Sequence, residues 1–504
     1  MKINIFLLLL LLVESAFSSE KIPTHLSYID EHEINNLTRV ENSLRDQYFL
    51  EGKKPIKTSI FNAMKMYNIP GVSLAAIHNG KIVWIKTYGF KDAETKEKLL
   101  PEHLLQAASI SKPFTVLGVL SLVNENKLEL DKNINDYLKG WSVPLNNFTK
   151  EKPVTARYLM AHTAGVNVGG FPGIDRSTKY FPNIIDVLNG KKPEIVTNAI
   201  EIINTPGTKY SYSGGGTSIL QLAIESIVEK DFSSWMDTNI LKKLGMLNST
   251  FVQPLPEKIL SLASSAHDVE GKVYQGKFHD YPEQAAAGLW TNPTDLATAT
   301  LRFLNAYYNE TNFLNIKQEI TNQIFIQQLP SKFGLGFEIA KNKNVLSFGH
   351  GGSNEGFKSI MTAYVNSHKN RDKIKLKDAL IVMTNSDNGD YLNDMLVASF
   401  NDVYKLGLND AKKIRQVKTS KNLKDYALNF TLYDEDEINN VFYKNGSLYL
   451  KLSDDKFPEK LYAIDKNDFI TLKGFKIKYF WNNDKAKIKI ILNDNVELDS
   501  RIIE

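Results

Sequence analysis

The sequence predicts an α/β (α+β) sandwich, an antiparallel sheet with flanking helices and a helical subdomain, followed by a small C-terminal all-β, barrel-like domain. Three observations predict it: β-rich runs at residues 72–88 and again at 345–384, helical segments between them, and short β-rich runs broken by turn residues after about residue 424. Strands at both ends of a body with helices between them are joined into one sheet by segments remote along the chain.

A chain of 504 residues is long enough for two domains and a leader. Its apolar content of 42% and charged content of 23% match a folded globular protein, not a disordered or multi-span membrane chain. The net charge of +4 leaves no concentrated field for a nucleic acid or an anionic lipid surface, so no nucleic-acid partner is expected. With no cysteine, disulfides, a lipid-modified cysteine anchor, thiolate metal sites and thiol catalysis are all excluded. The few histidines lack a His-x-x-x-His ligand spacing, and neither a metal nor a cofactor is expected.

Taken in order, Met1-Lys2, an apolar run at 5–13 and Ala16-Phe17-Ser18 have the layout of a secretory signal peptide over residues 1–18. Cleavage after Ser18, export to the periplasm or the extracellular space, and no stable membrane insertion thereafter are the expectations. Residues 19–57 form a polar lead-in, helical around 31–48. Runs at 72–77 and 82–88 flank Asn79-Gly80, a pair that favours positive φ and a tight hairpin. Residues 113–123 are apolar on every side of a helical wheel, the pattern of a helix buried all round. From about 128 to 325, helical segments alternate with Gly, Pro and Asn loops, and strands return at 345–348, 357–365 and 379–384. These elements make one domain over 58–408. A Lys/Asn/Asp/Ser linker leads to a separate β-domain at 420–504, with strands at 439–443, 448–450, 475–481 and 487–492 and turns at Asn445-Gly446 and Asn482-Asn483-Asp484. It carries no catalytic constellation and is read as a packing or substrate-positioning appendage.

Ser109-Ile110-Ser111-Lys112 opens the buried helix, placing Ser109 and Lys112 one turn apart on the same face. A serine hydroxyl needs a neighbouring base, and a lysine serves when burial or nearby cations lower its pKa. A helix start also aims backbone N–H groups at the place where negative charge develops. The Ser-x-x-Lys spacing recurs at Ser18 and Ser453, but only Ser109 begins an apolar helix; the bland alternative for Ser109 is a helix cap. Farther on, Tyr212-Ser213-Gly214 lies on a loop before an apolar helix at 219–228, where a phenol can shuttle a proton. Ser347-Phe348-Gly349-His350-Gly351-Gly352-Ser353 is a strand leading into a glycine-flanked histidine. Gly351 and Gly352 let the backbone approach a ligand, and the Ser353 N–H offers an oxyanion donor. By themselves the tyrosine reads as a loop residue and the histidine as a structural one.

Ser-x-x-Lys, then Tyr-Ser-Gly, then His-Gly-Gly, in that order, resembles the three-motif signature of the β-lactamase-related serine hydrolases: class C β-lactamases, low-molecular-weight DD-peptidases, D-aminopeptidases and family VIII esterases. Ala108 to Thr115, His162-Thr163-Ala164-Gly165, Leu244-Gly245-Met246 and Ala287-Gly288-Leu289-Trp290 look like family landmarks, and the resemblance covers roughly 58–405. It implies a serine β-lactamase/transpeptidase-like fold. It further implies that Ser109 is acylated, that Lys112 and Tyr212 move the proton, that the Ser109 and Ser353 N–H groups hold the oxyanion, and that Gly214, Gly351 and Gly352 border the substrate. His350 stands where Lys is usual, the cation that meets a substrate carboxylate, and Gly214 stands where Asn is usual.

These departures point away from an efficient β-lactamase. The function expected is hydrolysis of an ester or a D-amino-acid-type peptide or amide through Ser109, with a small-molecule or peptide substrate. The alternatives are a class C-like β-lactamase and, from another class, a catalytically silent penicillin-binding-like sensor or binding protein.

Overall fold

In the computed structural model the described residues are 22–503, apart from 312, 343, 369–374, 409, 433–437, 454–456, 483–484 and 492–496. The expected signal peptide at 1–18 and the Asn483-Asp484 part of one turn lie outside them. The body is built on a fully antiparallel sheet. Its strands are β1 (Thr24–Ile29), β2 (Gly71–His78), β3 (Lys81–Asp92), β4 (Glu338–Asn342), β5 (Val345–Asn354), β6 (Phe357–Asn366) and β7 (Lys377–Thr384), in the order β1-β3-β2-β7-β6-β5-β4. The β2–β3 turn is the Asn79-Gly80 pair, with φ of 51° and 74°. Both values are positive, as a tight hairpin with right-handed strand twist demands.

Helices cover both faces. On one side α1 (Ile34–Glu41) packs with a long C-terminal helix of the body, Gly389–Tyr404, over a core of Leu37, Val40, Trp84, Leu380, Leu396 and Phe400. On the other side lie α2 (Ser111–Asn124), α3 (Gly214–Val228), α4 (Gln284–Ala287) and α5 (Pro293–Tyr307), around a larger core that includes Phe114, Leu120, Ile219, Trp290 and Phe303. The apolar run at 113–123 is thus a helix enclosed nearly all round, as its sequence requires.

The lead-in differs from expectation. Its helix ends at Glu41 instead of continuing to Tyr48, and residues 48–50 form a short strand parallel to Lys412–Ile414. Residues 24–29 pair with β3 as an edge of the main sheet, so the segment before residue 58 belongs to the body. The exposed face of β1 gives no alternating pattern to read, and its pairing partner lies about 60 positions away. Arg45, almost fully buried, clamps the segment to the Gly389–Tyr404 helix through Nε and Nη2 bonds of 2.7 Å to Asp402.

The C-terminal part is a closed eight-stranded barrel in which Leu428–Leu432 pairs with Glu497–Ile503. Tyr426, Phe430, Phe469 and Tyr479 fill its core, and Asn445-Gly446 turns one hairpin with φ of 49° and 78°. The Tyr48 N–H donates to Leu472 O, tying barrel to body. Among the described residues no helix is long and apolar enough to cross a membrane.

Candidate active site

Ser109 lies in a single 3₁₀ turn, Ala108–Ile110, that runs directly into α2. Neither helix start is capped by a side chain, so Ser109 does not act as a cap. Instead its Oγ accepts a hydrogen bond from Lys112 Nζ at 2.9 Å, one turn on. Lys112 is buried, and its amine also donates to the Ala286 carbonyl on α4 at 2.8 Å. These two bonds hold the amine on the hydroxyl.

The residue before Ser109 carries strain. Ala108 has φ +51°, a left-handed conformation that costs a side-chain-bearing residue about 1–3 kcal/mol. Neighbours fix it: Ser111 Oγ donates to Ala108 O at 2.6 Å, Ser359 Oγ to Ala107 O at 2.9 Å, and Ala107 N–H to Leu289 O at 2.8 Å. The turn lifts Ser109 into a half-exposed position while Ala108 and Ile110 stay in the core.

Strand β5 closes against this turn. The sequence predicts a strand that ends before His350, whereas β5 continues through Asn354, so His350, Gly351, Gly352 and Ser353 are all strand residues paired with β6. A Cβ at Gly352 would lie 2.2 Å from Ala107 O, so only glycine permits this approach, while a Cβ at Gly351 would make an ordinary contact, 3.9 Å from Ser359 O. Ser353, one step beyond the contact, is exposed.

Tyr212 comes from the loop before α3, and Lys112 Nζ is 5.1 Å from its ring centroid. Its ring stands 4.4 Å from that of His162 and 6.0 Å from that of His350. His162 is held by an N–H bond from Ser213 to its Nδ1 at 3.2 Å. Phe333 completes the wall, 5.6 Å from His350 and 6.2 Å from Tyr212 between ring centroids. The three motifs therefore converge: Ser109 with Lys112 directly, Tyr212 on Lys112, and His350 on Tyr212. Gly214 sits apart from this contact, its N–H bonded to Gly169 O. A Cβ there would meet Gly169 O and the Phe171 ring, each at 3.0 Å, so a larger side chain would crowd both.

Charge is tightly controlled. Burial first, then Lys112 and Lys332, pushes the His350 imidazole down to about 3, so it is neutral. Burial and the same cations hold His162 well below its usual value. Glu283, immediately before α4, is pushed up to about 8 by burial, against the pull of Lys112. Among the described residues no group of acidic and histidine side chains could hold a metal ion.

Nothing in the sequence singles out Phe333, Phe171 or Glu283, and Ala108 and His162 stand out only as parts of family landmarks. Phe333 leaves a faint trace, the Gly334 and Gly336 that follow it; a Cβ at Gly334 would lie 2.1 Å from Ile324 O. A cavity of about 340 Å³ lies behind β5, lined by Asp46, Glu338, Thr362, Tyr391, Met395 and Lys473 among others. It borders His350 and Gly351 but not Ser109, Lys112 or Tyr212, and is not the catalytic cleft.

Residues 56–399 match the family described as Beta-lactamase. The chain is 27% identical over 247 residues to Protein flp of Staphylococcus aureus (strain MRSA252), covering 48% of this chain and 46% of that protein. It thus spans about half the length of these staphylococcal relatives. It is 22% identical over 471 residues to Penicillin-binding protein 4* of Bacillus subtilis (strain 168), covering 88% of this chain and 97% of the relative. Among solved structures, the octameric penicillin-binding protein homologue from Pyrococcus abyssi superposes with a TM-score of 0.55 at 19% identity, over 88% of this chain and 98% of that one. At that identity the likeness establishes the fold.

Proposed function

Because this chain belongs to the beta-lactamase family, we propose that it is a serine hydrolase acting through an acyl-enzyme on Ser109, with an ester or a D-amino-acid-type peptide or amide as substrate. The observation that carries the proposal is the 2.9 Å contact between Lys112 Nζ and Ser109 Oγ, made by a buried amine. The Lys112 amine takes the hydroxyl proton while Ser109 Oγ attacks the acyl carbon. The Ser109 and Ser353 N–H groups hold the oxyanion, which β5 approaches closely enough to reach because of Gly352. Tyr212, beside Lys112, passes the proton to the leaving group, and water then cleaves the acyl-enzyme.

Two features favour an ester or peptide over a β-lactam. His350 is neutral where a cation would meet the lactam carboxylate, and Phe171 with Gly169 crowds the position beside Gly214. The leader-like first 18 residues support export.

A substrate panel tests the proposal. p-Nitrophenyl esters of rising chain length, a D-amino-acid peptide blocked as its C-terminal amide and a chromogenic cephalosporin are offered to the protein and to Ser109→Ala. Turnover of ester or peptide that vanishes in Ser109→Ala, with slow cephalosporin hydrolysis, is the expected result. Rapid cephalosporin hydrolysis would make it a β-lactamase, and no turnover of any substrate would favour a binding protein.

A further inference from the structure

We propose that the cavity behind β5 is a second ligand site, which takes a small organic ammonium compound with an apolar body and binds it through the Asp46 carboxylate, on the face of the sheet opposite Ser109. The site goes beyond the hydrolase reading and does not depend on it.

The cavity has a floor and two walls. Side chains alternate along a strand, so Ser347, Gly349 and Gly351 share the face of β5 that turns away from the buried Phe348 and His350. Two of these three positions are glycines, and with Thr362 and Ile360 opposite Gly349 and Gly351 on β6 they floor a space of about 340 Å³. The Gly389–Tyr404 helix forms one wall with Tyr391, Met395 and Val397. The other is the lead-in at Asp46 and Gln47 together with Lys473 of the barrel. That wall is pinned on several sides. Arg45 Nη1 donates to Asp46 O at 3.0 Å, the Lys412 N–H to Gln47 O at 3.0 Å and the Tyr48 N–H to Leu472 O at 2.8 Å. A preformed space of this volume, part apolar and part polar, is of ligand size.

Charge specifies the ligand. Both cations of the lining are matched by carboxylates outside it, Arg45 by Asp402 at 2.7 Å and Lys473 by Glu459 at 2.8 Å. Glu338 is matched in turn by Lys332 at 3.1 Å. Asp46 differs: its half-buried carboxylate accepts no hydrogen bond and forms no ion pair among the described residues, and Lys473 and Arg45 act on it only at longer range. Burial pushes that carboxyl up, against the pull of the two cations. A carboxylate so placed gains most from a ligand that brings an N–H donor and a positive charge. An anionic ligand finds the lining cations already engaged, and Asp394, the remaining acid of the lining, does not oppose a cation. Ile360, Met395 and Val397 receive the apolar body.

Three probes that differ in one group test the site on the full chain: para-fluorophenethylamine, para-fluorophenethyl alcohol and para-fluorophenylacetate, titrated by fluorine NMR. The amine is expected to bind about tenfold more tightly than the alcohol, and the acid more weakly than either. Asp46→Asn, which keeps the shape and the main-chain bond to Arg45, is expected to bring amine and alcohol to equal affinity. Ser347→Phe, which fills the floor, is expected to weaken both about tenfold, with circular dichroism reporting the fold; if that variant does not fold, the Asp46→Asn comparison still decides. An amine that binds no better than the alcohol would overturn the site. So would an amine preference that survives Asp46→Asn, or amine binding unchanged in a folded Ser347→Phe, the results expected of binding in the catalytic cleft or elsewhere on the surface.

Discussion

The Lys112 amine and the Ser109 hydroxyl, 2.9 Å apart on one turn of chain, are positioned by a third element: the Ala286 carbonyl of α4 takes a second hydrogen bond from the amine. A flexible lysine is thereby confined to one rotamer in a buried place, and its proton has a short path from the nucleophile. The chemistry proposed here depends on that confinement.

Removing the amine should abolish acylation without unfolding the chain. Lys112→Ala is expected to lower the rate of Ser109 acylation about 10²–10⁴-fold, the range of a lost general base. Circular dichroism and the acylation rate, measured on the same sample, separate lost chemistry from lost structure.

The two strand glycines should respond differently. Gly352→Ala places a Cβ 2.2 Å from Ala107 O and is expected to destabilise the body by about 1–3 kcal/mol while displacing β5 from Ser109. Gly351→Ala, whose nearest atom would be 3.9 Å away, is expected to be tolerated. Urea unfolding of both variants, with the acylation rate, checks the contrast.

Glu283 should impose a pH dependence on stability. Its carboxyl is raised from an ordinary 4.5 to about 8 in the fold, so unfolding releases a proton between those values. Its contribution is whole below about pH 4.5 and is lost as pH rises through about 8. Glu283→Gln, which keeps the shape without the charge, should therefore gain in melting temperature relative to the wild type between pH 5 and pH 8.5. A scanning calorimetry series over that interval measures the gain.

The Arg45–Asp402 clamp should be structural. Asp402→Ala removes two hydrogen bonds from a buried guanidinium that keeps its bond to Asp46 O, and is expected to cost about 3 kcal/mol, at the low end for such a break because the carboxylate is partly exposed. Replacing both partners with apolar residues should cost less. Chemical denaturation of the single and double variants distinguishes the two outcomes.

What the sequence discloses here follows the range of the physics involved. The Asn79-Gly80 hairpin and the enclosed helix after Ser109 are legible because turn conformation and apolar periodicity are local. The three motifs are legible because each pairs a reactive side chain with its own small element. The place of β1 is not, since its exposed residues carry no pattern and its partner in β3 is remote. Nor is the left-handed Ala108, a conformation alanine would not choose and which Ser111, Ser359 and Leu289 impose from three directions. Phe333 and Phe171 are ordinary aromatics in loops, and only packing places one beside His350 and the other over Gly214.

Intact-mass spectrometry after incubation with a fluorophosphonate tests the central claim most directly. The account predicts one adduct per chain, mapped by peptide digestion to Ser109 and absent from Ser109→Ala. A folded protein that takes up no adduct, or that is modified at another serine, would contradict it.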